Sequence, residues 1–458
     1  MDAARLAETL RMSLGALTIE GLTRLSGGAS RETWALDAIG ADGSRAELVL
    51  RCDPPGRPSE PGAMGREARA ITSARAAGLA VPEVLAWTDG PELWGSPGLV
   101  MRQVTGETIA RRILRDNAYR AARGALVGQL GEFAAGLHAL GIADYLPAPD
   151  PLPELRAMLA TFDQGSPAFE LAMRTLDADP PPRRRPVLVH GDLRLGNLIV
   201  GPDGLRAVID WELVHAGNPA EDLGWLCVKA WRFGVDAPVA GLGTREELLA
   251  AYRAAGGADI SLEELRWWEI LGTLRWGVIC MKQAWTHLHG AHRSVELAAI
   301  GRRVCEQEWD LLLLLAPAAA AQAALERPRP TGSPKPSPAP HGRPTASELL
   351  DAVSGFLTDD VMAAATGQLA FHARVAANVL GIVAREIELG PQPAQAGPAD
   401  AEPGPRPAQT EPSARPARNQ PDAEPTATDL ARSVAARLAV ANPRYFEPRP
   451  PLEPPPRG

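Results

Sequence analysis

Cysteine is scarce in this chain. Its 458 residues hold four, Cys52, Cys227, Cys280 and Cys305, with no paired spacing among them. That excludes the disulfide framework of a small secreted protein and a zinc site built on cysteine. An excess of positive charge is missing as well: the formal net charge is −8, and no block of like charge offsets it. A nucleic-acid binder needs a basic surface against the phosphate backbone, so nucleic acid is excluded as a general partner. Long apolar runs are also absent. The longest, LLLLLAPAAAA over 311–321, is broken by Pro317 and falls well short of the ~20 residues that span a bilayer. The opening MDAARLAETLRMSLGAL is mildly amphipathic and carries Asp2 and Glu8 instead of an apolar signal core. These absences describe a cytoplasmic protein without a membrane partner.

What is present is ordinary in bulk. A hydrophobic fraction of 45% and a charged fraction of 22% suit a globular protein, and the length calls for two or three domains. Proline divides the chain. RPRPTGSPKPSPAPHGRP fills 327–344, and a second stretch, 391–425, holds ten prolines and almost no large apolar residue. Neither can bury enough surface to offset the entropy of ordering, so both read as extended linkers.

The remaining segments differ in texture. LTIEGLTRLS, SRETWALDAIG and AELVLRCD alternate like strands; a helix follows over 64–78, and VPEVLAW and GLVMRQV add two further strands. After Gly106 helical patterns take over, most clearly over 119–140, where Leu126, Leu130, Phe133, Leu137 and Leu140 share one face. Inside this helical half, LVHGDLRLGNLIV (188–200) and VIDWE (208–212) form a β-hairpin-like pair. Between the linkers, Leu349, Val353, Phe356 and Leu357, then Phe371, Val375, Val379, Ile382 and Val383, mark two amphipathic helices joined near Thr366-Gly367. A last helix over 429–440 ends at Asn442-Pro443 and is expected to fold back over the groove of that pair. The fold class is α+β, divided into an N-terminal helix (1–19), a strand-rich lobe (20–104), a helical lobe (105–326), a linker (327–344), a helical domain (345–390), an insertion (391–425) and the final helix (426–446).

Chemistry concentrates in HGDLRLGN and VIDWE. Phosphoryl transfer needs groups that hold magnesium, orient a hydroxyl and cover the nucleotide phosphates. Magnesium prefers a few carboxylate and amide oxygens and leaves the rest of its shell to water and phosphate. Asn197 and Asp210 supply such oxygens on adjacent hairpin strands, and Asp192, five residues before Asn197, is placed to accept the proton of an incoming hydroxyl. Ser26-Gly27-Gly28-Ala29-Ser30, between the first two strands, lets backbone N–H groups approach phosphates.

Together these residues resemble the aminoglycoside phosphotransferase family and its protein-kinase-like, two-lobed fold, over about residues 20 to 316. The resemblance implies ATP or another nucleoside triphosphate with magnesium, and a small-molecule hydroxyl as acceptor. It implies Asp192 as catalytic base, Asn197 and Asp210 as magnesium ligands, His190 as a clamp on the loop and Asp222 as its brace. It further implies Ser26, Gly27, Gly28 and Ser30 over the phosphates, and Met101, Gln103 and Val104 at an adenine-contacting hinge. Where the family usually has lysine, LVLRCDPPG has Arg51, with Glu67 in GREARAI as its partner. Arginine is not a neutral replacement for lysine at a phosphate site. That strand, with REARAI and HGDLRLGNLIV, resembles the subgroup of kinase-like domains attached to or beside acyl-CoA dehydrogenases. The C-terminal helices resemble a small bacterial domain of unknown function and offer a surface for a protein partner or self-association.

The acceptor stays open. Seven of the eleven tryptophans lie between Trp225 and Trp309, a density that core packing explains. From Trp225 to Asp310 there are eleven acidic and ten basic residues, without the acidic excess a polycationic aminoglycoside calls for. A hydroxyacyl compound fits that balance. An aminoglycoside acceptor and a nucleotide-binding scaffold without transfer activity are the alternatives. His287, His289 and His292 do not share one helix face, which argues against zinc.

Overall fold

The protein is described here by a computed structural model covering residues 3–15, 17–25, 31–54, 60–91, 94–162, 165–290, 294–328, 346–390 and 425–446. The Ser26–Ser30 loop and nearly all of both proline-rich stretches lie outside the described residues.

Helix α1 (Ala3–Leu14) precedes β1 (Leu17–Leu25), β2 (Glu32–Gly40) and β3 (Arg45–Cys52); α2 (Ala63–Ala76), β4 (Val84–Thr88) and β5 (Gly98–Arg102) follow. The strands form one antiparallel sheet in the order β1-β2-β3-β5-β4. Alternation along RAELVLRC decides what each face meets. Leu48, Leu50 and Cys52 turn to one side and pack with Leu6 and Leu10 of α1 and with Val100. Arg51 turns to the other side, where it meets the buried Glu67 of α2. Gly65 lets α2 lie close to β4, since a Cβ there would come within 2.7 Å of the Trp87 ring.

The second lobe is mostly helical: α3 (Ala110–Arg115), α4 (Arg120–His138), α5 (Pro151–Leu159), α6 (Pro167–Ala178), α7 (Ala220–Cys227), α8 (Arg245–Ala254), α9 (Leu262–Leu288), α10 (Val295–Gly301), α11 (Val304–Leu315) and α12 (Pro317–Glu326). The helical leucine spacing of α4 buries Leu126, Leu130, Phe133 and Leu137 in the main core. Four short strands lie between α6 and α7, and their pairing differs from expectation. β7 (Leu198–Gly201) and β8 (Gly204–Val208) form the hairpin, whereas β6 (Val187–Val189) pairs with β9 (His215–Gly217). The turn after β6 is the reason. Gly191 sits at φ 80°, a conformation that favours glycine, and redirects the chain so that the two apolar runs enter different sheets.

Beyond the first linker, α13 (Ala346–Gly355) continues through a widened turn (Phe356–Val361) into α14 (Met362–Ala364), and α15 (Gly367–Leu389) packs back on it. The final helix, α16 (Ala427–Ala441), does not lie mainly in the groove of that pair. Leu430, Val434 and Leu438 join one cluster with Cys305, Trp309 and Leu312 of α11 and with Ala320 and Ala323 of α12. It touches α15 where Arg385 Nε donates to the Val440 carbonyl at 2.7 Å. Area decides the placement. Trp309 and Leu312 offer α16 a large apolar face, while the pair buries only Ala373, Ala377 and Ile382 of α15 and leaves Leu349, Val353, Phe356, Leu369 and Phe371 exposed. Among the described residues no helix is long and apolar enough to cross a membrane.

Candidate active site

Asp222, in the first turn of α7, organises the loop that follows β6. Its carboxylate accepts the His190 N–H at 2.8 Å on one oxygen and the Gly191 N–H at 2.9 Å on the other. His138 Nε2 lies 3.3 Å from the same carboxylate, and its Nδ1 is 2.9 Å from the Tyr252 hydroxyl. Burial works against the Asp222 charge, but the His138 contact and the ring and backbone N–H of His190 outweigh it and hold the carboxyl below its ordinary range. Gly191 has no room for a side chain: a Cβ would stand 2.5 Å from the Leu213 carbonyl oxygen. His190 is fully buried; its Nδ1 accepts from the Asp192 N–H at 3.2 Å and its ring packs edge-on to Trp211 with centroids 4.8 Å apart.

This frame leaves the Asp192 side chain partly open, 15% exposed. Asn197 turns its amide nitrogen to Asp192 Oδ2 at 2.6 Å and to the Asp192 carbonyl at 2.9 Å, so the amide oxygen is what it offers a cation. The Asn197 carbonyl accepts from the Ile209 N–H at 2.9 Å, which ties this turn to the chain entering Asp210. Asp210 follows β8 at φ 69°, a left-handed conformation that aspartate tolerates better than most residues. Its Oδ1 accepts from Arg51 at 2.6 Å. Burial again opposes the charge, and the Arg51 guanidinium overcomes it and holds the Asp210 carboxyl below its ordinary range. Arg51 also donates to Glu67 at 3.0 Å, so one guanidinium spans the helix carboxylate and the candidate metal ligand. Arg51 is itself held charged: burial would lower its pKa, and Asp210 and Glu67 raise it further.

The structure therefore brings together Asp192, Asn197, Asp210, Arg51 and Glu67. The two oxygen donors, Asn197 and Asp210, suit magnesium that arrives with phosphates and water. Among the described residues there is no cluster of three or more His, Cys, Asp or Glu able to hold a metal without that help. The hinge residues are less uniform. Met101 is buried within β5, opposite Val49 and Val84, and the Gln103 N–H is committed to the Glu47 carbonyl at 2.9 Å, leaving Val104 as the first residue past the strand pairing. Ser26, Gly27, Gly28 and Ser30 lie outside the described residues.

Residues 21–268 match the profile of the phosphotransferase enzyme family APH. The chain belongs to that family. A second profile, a domain of unknown function numbered DUF6285, matches 363–445 of the phosphotransferase. Acyl-CoA dehydrogenase family member 10 of Mus musculus is 29% identical over 197 residues, covering 40% of this chain and 18% of its own length. Acyl-CoA dehydrogenase family member 11 of Gallus gallus is 32% identical over 234 residues, covering 46% and 28%. The phosphotransferase thus spans only 18% to 28% of those relatives' lengths. A solved Ralstonia eutropha JMP134 protein, assigned as an aminoglycoside phosphotransferase, superposes with a TM-score of 0.55 at 20% identity, over 69% of this chain and 98% of that one. The likeness shows the protein-kinase-like fold.

Several site residues escaped the sequence reading. Arg31, directly after the Ser26–Ser30 loop, is buried against the same Glu67 and pairs with Asp53 at 3.3 Å, so Glu67 is shared by two arginines. Arg194 lies inside HGDLRLGN, and its Nε donates to both Asp192 oxygens at 3.0 and 3.1 Å while its guanidinium stacks 4.8 Å above Trp231. Trp225 donates its indole N–H to Asp192 Oδ1 at 2.7 Å. Only the tryptophan density hinted at it. Trp225, Trp231 and Trp276 form a chain of rings 5.4 and 4.9 Å apart beside Asp192, and Arg275 lies 5.4 Å over Trp225. Of the three histidines considered for zinc, His287 accepts from the Ser294 N–H at 3.0 Å, His289 stacks on Trp285, and His292 lies outside the described residues.

Proposed function

We propose that this phosphotransferase moves the γ-phosphoryl group of ATP, or another nucleoside triphosphate, to a hydroxyl of a small molecule, with a hydroxyacyl compound as the favoured acceptor. The reading rests above all on one observation: Asn197 links to Asp192 at 2.6 Å, its carbonyl takes the Ile209 N–H next to Asp210, and Arg51 links Asp210 to Glu67, so the residues read as base, metal ligands and phosphate clamp are neighbours. Asp192 orients the acceptor hydroxyl and takes its proton as the oxygen–phosphorus bond forms and the bond to the leaving diphosphate breaks. Asn197 and Asp210 would hold magnesium, which supplies charge neutralisation for the phosphates when bound. Arg51 clamps phosphates from the sheet side.

Two features support the acceptor class. Beside Asp192 lie the buried Trp225 and Trp231, Arg194 paired with Asp192 itself, and Arg275 paired with Glu221 at 2.9 Å, a set without the acidic excess that a polycation calls for. The curated relatives carry acyl-CoA dehydrogenase in their names. The scaffold alternative draws on the Arg51–Asp210 pair, which commits a metal ligand to a guanidinium. The expected protein partner or self-association is supported by the exposed apolar side chains of α13 and α15.

Asp192→Asn separates these readings. Nucleotide binding, followed with a fluorescent ATP analogue, should persist while ATP-dependent phosphorylation falls at least about a hundredfold. The acceptor panel is hydroxyacyl-CoA thioesters, sugars, amino alcohols and aminoglycosides. Unaltered turnover in the variant sinks the assignment of Asp192. Nucleotide binding by the wild-type chain without turnover on any acceptor favours the scaffold.

A further inference from the structure

Helix α11 carries Glu306, Glu308 and Asp310, all of them buried. Buried carboxylates need partners, and a lost partner is costly. Each of the three finds one in the C-terminal segment. Asn442 Nδ2 donates to Glu306 at 2.9 Å, Arg437 pairs with Glu308 at 2.8 Å, and the Tyr445 hydroxyl donates to Asp310 at 2.6 Å. The segment meets the helical lobe through fitted polar contacts as well as through the apolar face of α16.

Two of those contacts lead toward Asp192. Asp310 also holds Lys229 at 3.0 Å, and Lys229 Nζ sits 4.2 Å from the centre of the Tyr445 ring. Lys229 opens the short 3-10 turn Lys229–Arg232, which carries Trp231. Glu306, held by Asn442, accepts from Arg303 at 2.9 Å, and Arg303 lies 5.8 Å over Trp276, the neighbour of Trp231. Both routes end at Trp231, the ring under Arg194, whose Nε holds both oxygens of Asp192.

We propose that the C-terminal segment 426–446 is a working part of the phosphotransfer site: Asn442 and Tyr445 fix the Trp231 turn, and Tyr445 is a positioning residue for the acceptor. The inference assigns a role to the final part of the domain of unknown function, and it rests on the reading of Asp192 as the base. A detached accessory module needs no donor aimed at two buried carboxylates of its neighbour and a guanidinium set beside a third. Asp310 makes the dependence sharp: burial pushes its carboxyl pKa up, and Lys229 and Tyr445 are the partners that work against this.

The test uses the chain of 458 residues and Tyr445→Phe, which keeps the ring and removes the hydroxyl, with Asn442→Ala as the second variant. Amide hydrogen exchange should quicken about tenfold over 225–233 in Tyr445→Phe and stay at the wild-type rate over 45–52 and 98–104. In steady-state assays with the best acceptor of the panel above, the acceptor KM should rise about five- to tenfold, with the affinity for the fluorescent ATP analogue unchanged. Unchanged exchange over 225–233 in both variants overturns the inference. So does a uniform rise in exchange across both lobes with a matching loss of nucleotide affinity, because that marks plain structural support. Failure of the wild-type chain to phosphorylate any acceptor overturns the functional reading instead, and the exchange measurement still decides whether the segment fixes the Trp231 turn.

Discussion

Arg51 shows how much one side chain determines at this site. Period-2 alternation in β3 puts it on the face opposite Leu50, and from there its fork reaches Glu67 at 3.0 Å and Asp210 at 2.6 Å together. A lysine has one ammonium and cannot span two carboxylates with the same geometry. The arginine is therefore matched to its partners, and Arg31 shares Glu67 with it. Arg51→Lys is expected to weaken the affinity for nucleotide about tenfold while leaving the acceptor KM near wild type. Titration with the fluorescent ATP analogue and acceptor saturation curves measure the two effects separately. A variant indistinguishable from wild type in nucleotide affinity would show that the arginine holds the lobes together and does not touch phosphate.

At the scale of elements, the loop between β6 and β7 is held from outside itself, by the first turn of α7. Asp222 is fully buried and accepts both loop amides, so the active-site turn depends on a carboxylate thirty residues further along the chain. Its folded pKa lies below the ordinary value of 3.8, so folding favours the charged form. The stabilisation is complete above that ordinary value and is lost as pH falls through the folded one. Asp222→Asn replaces one acceptor oxygen with a donor that faces an N–H. It should lower stability at pH 7 by about 3 kcal/mol and flatten the loss of stability that wild type shows as pH falls below the ordinary value of 3.8. Thermal melts across that range test it, and superimposable pH profiles for the two proteins would contradict it. Whereas His190 as clamp and Asp222 as brace came from the family resemblance, the loop with Asp192, Asn197 and Asp210 was legible in the sequence because HGDLRLGN and VIDWE carry polar residues among apolar ones. The partners of Asp192 were not. Trp225 and Arg194 reach it through side-chain directions that depend on how α7 and the 3-10 turn pack, and no local periodicity encodes those directions.

For the whole molecule, the strand-rich lobe, the helical lobe and the amphipathic pair follow from period and composition, while the seat of α16 does not. A helix with an apolar stripe announces that it must be covered, not by what. The nearest apolar pair in sequence was one answer; Trp309, Leu312 and the alanine face of α12 offered a deeper one, across a linker the chain can span either way. The result joins the C-terminal segment to the helical lobe and leaves much of the apolar surface of α13 and α15 outside the core. Cooperativity should follow the same division. Leu438 is fully buried in the α11–α12–α16 cluster, whereas Leu369 of α15 is 62% exposed. Leu438→Ala should therefore destabilise the transition in which the helical lobe unfolds by about 2 to 5 kcal/mol, and Leu369→Ala should leave it unmoved within about 0.5 kcal/mol. Urea unfolding followed by tryptophan fluorescence reports on it directly, because Trp309 lies in that cluster. If Leu438→Ala shifted a separate, earlier transition and spared the one seen by the tryptophans, α16 would be an independently folding attachment, and its contacts with Glu306, Glu308 and Asp310 could not be part of how the lobe holds its shape.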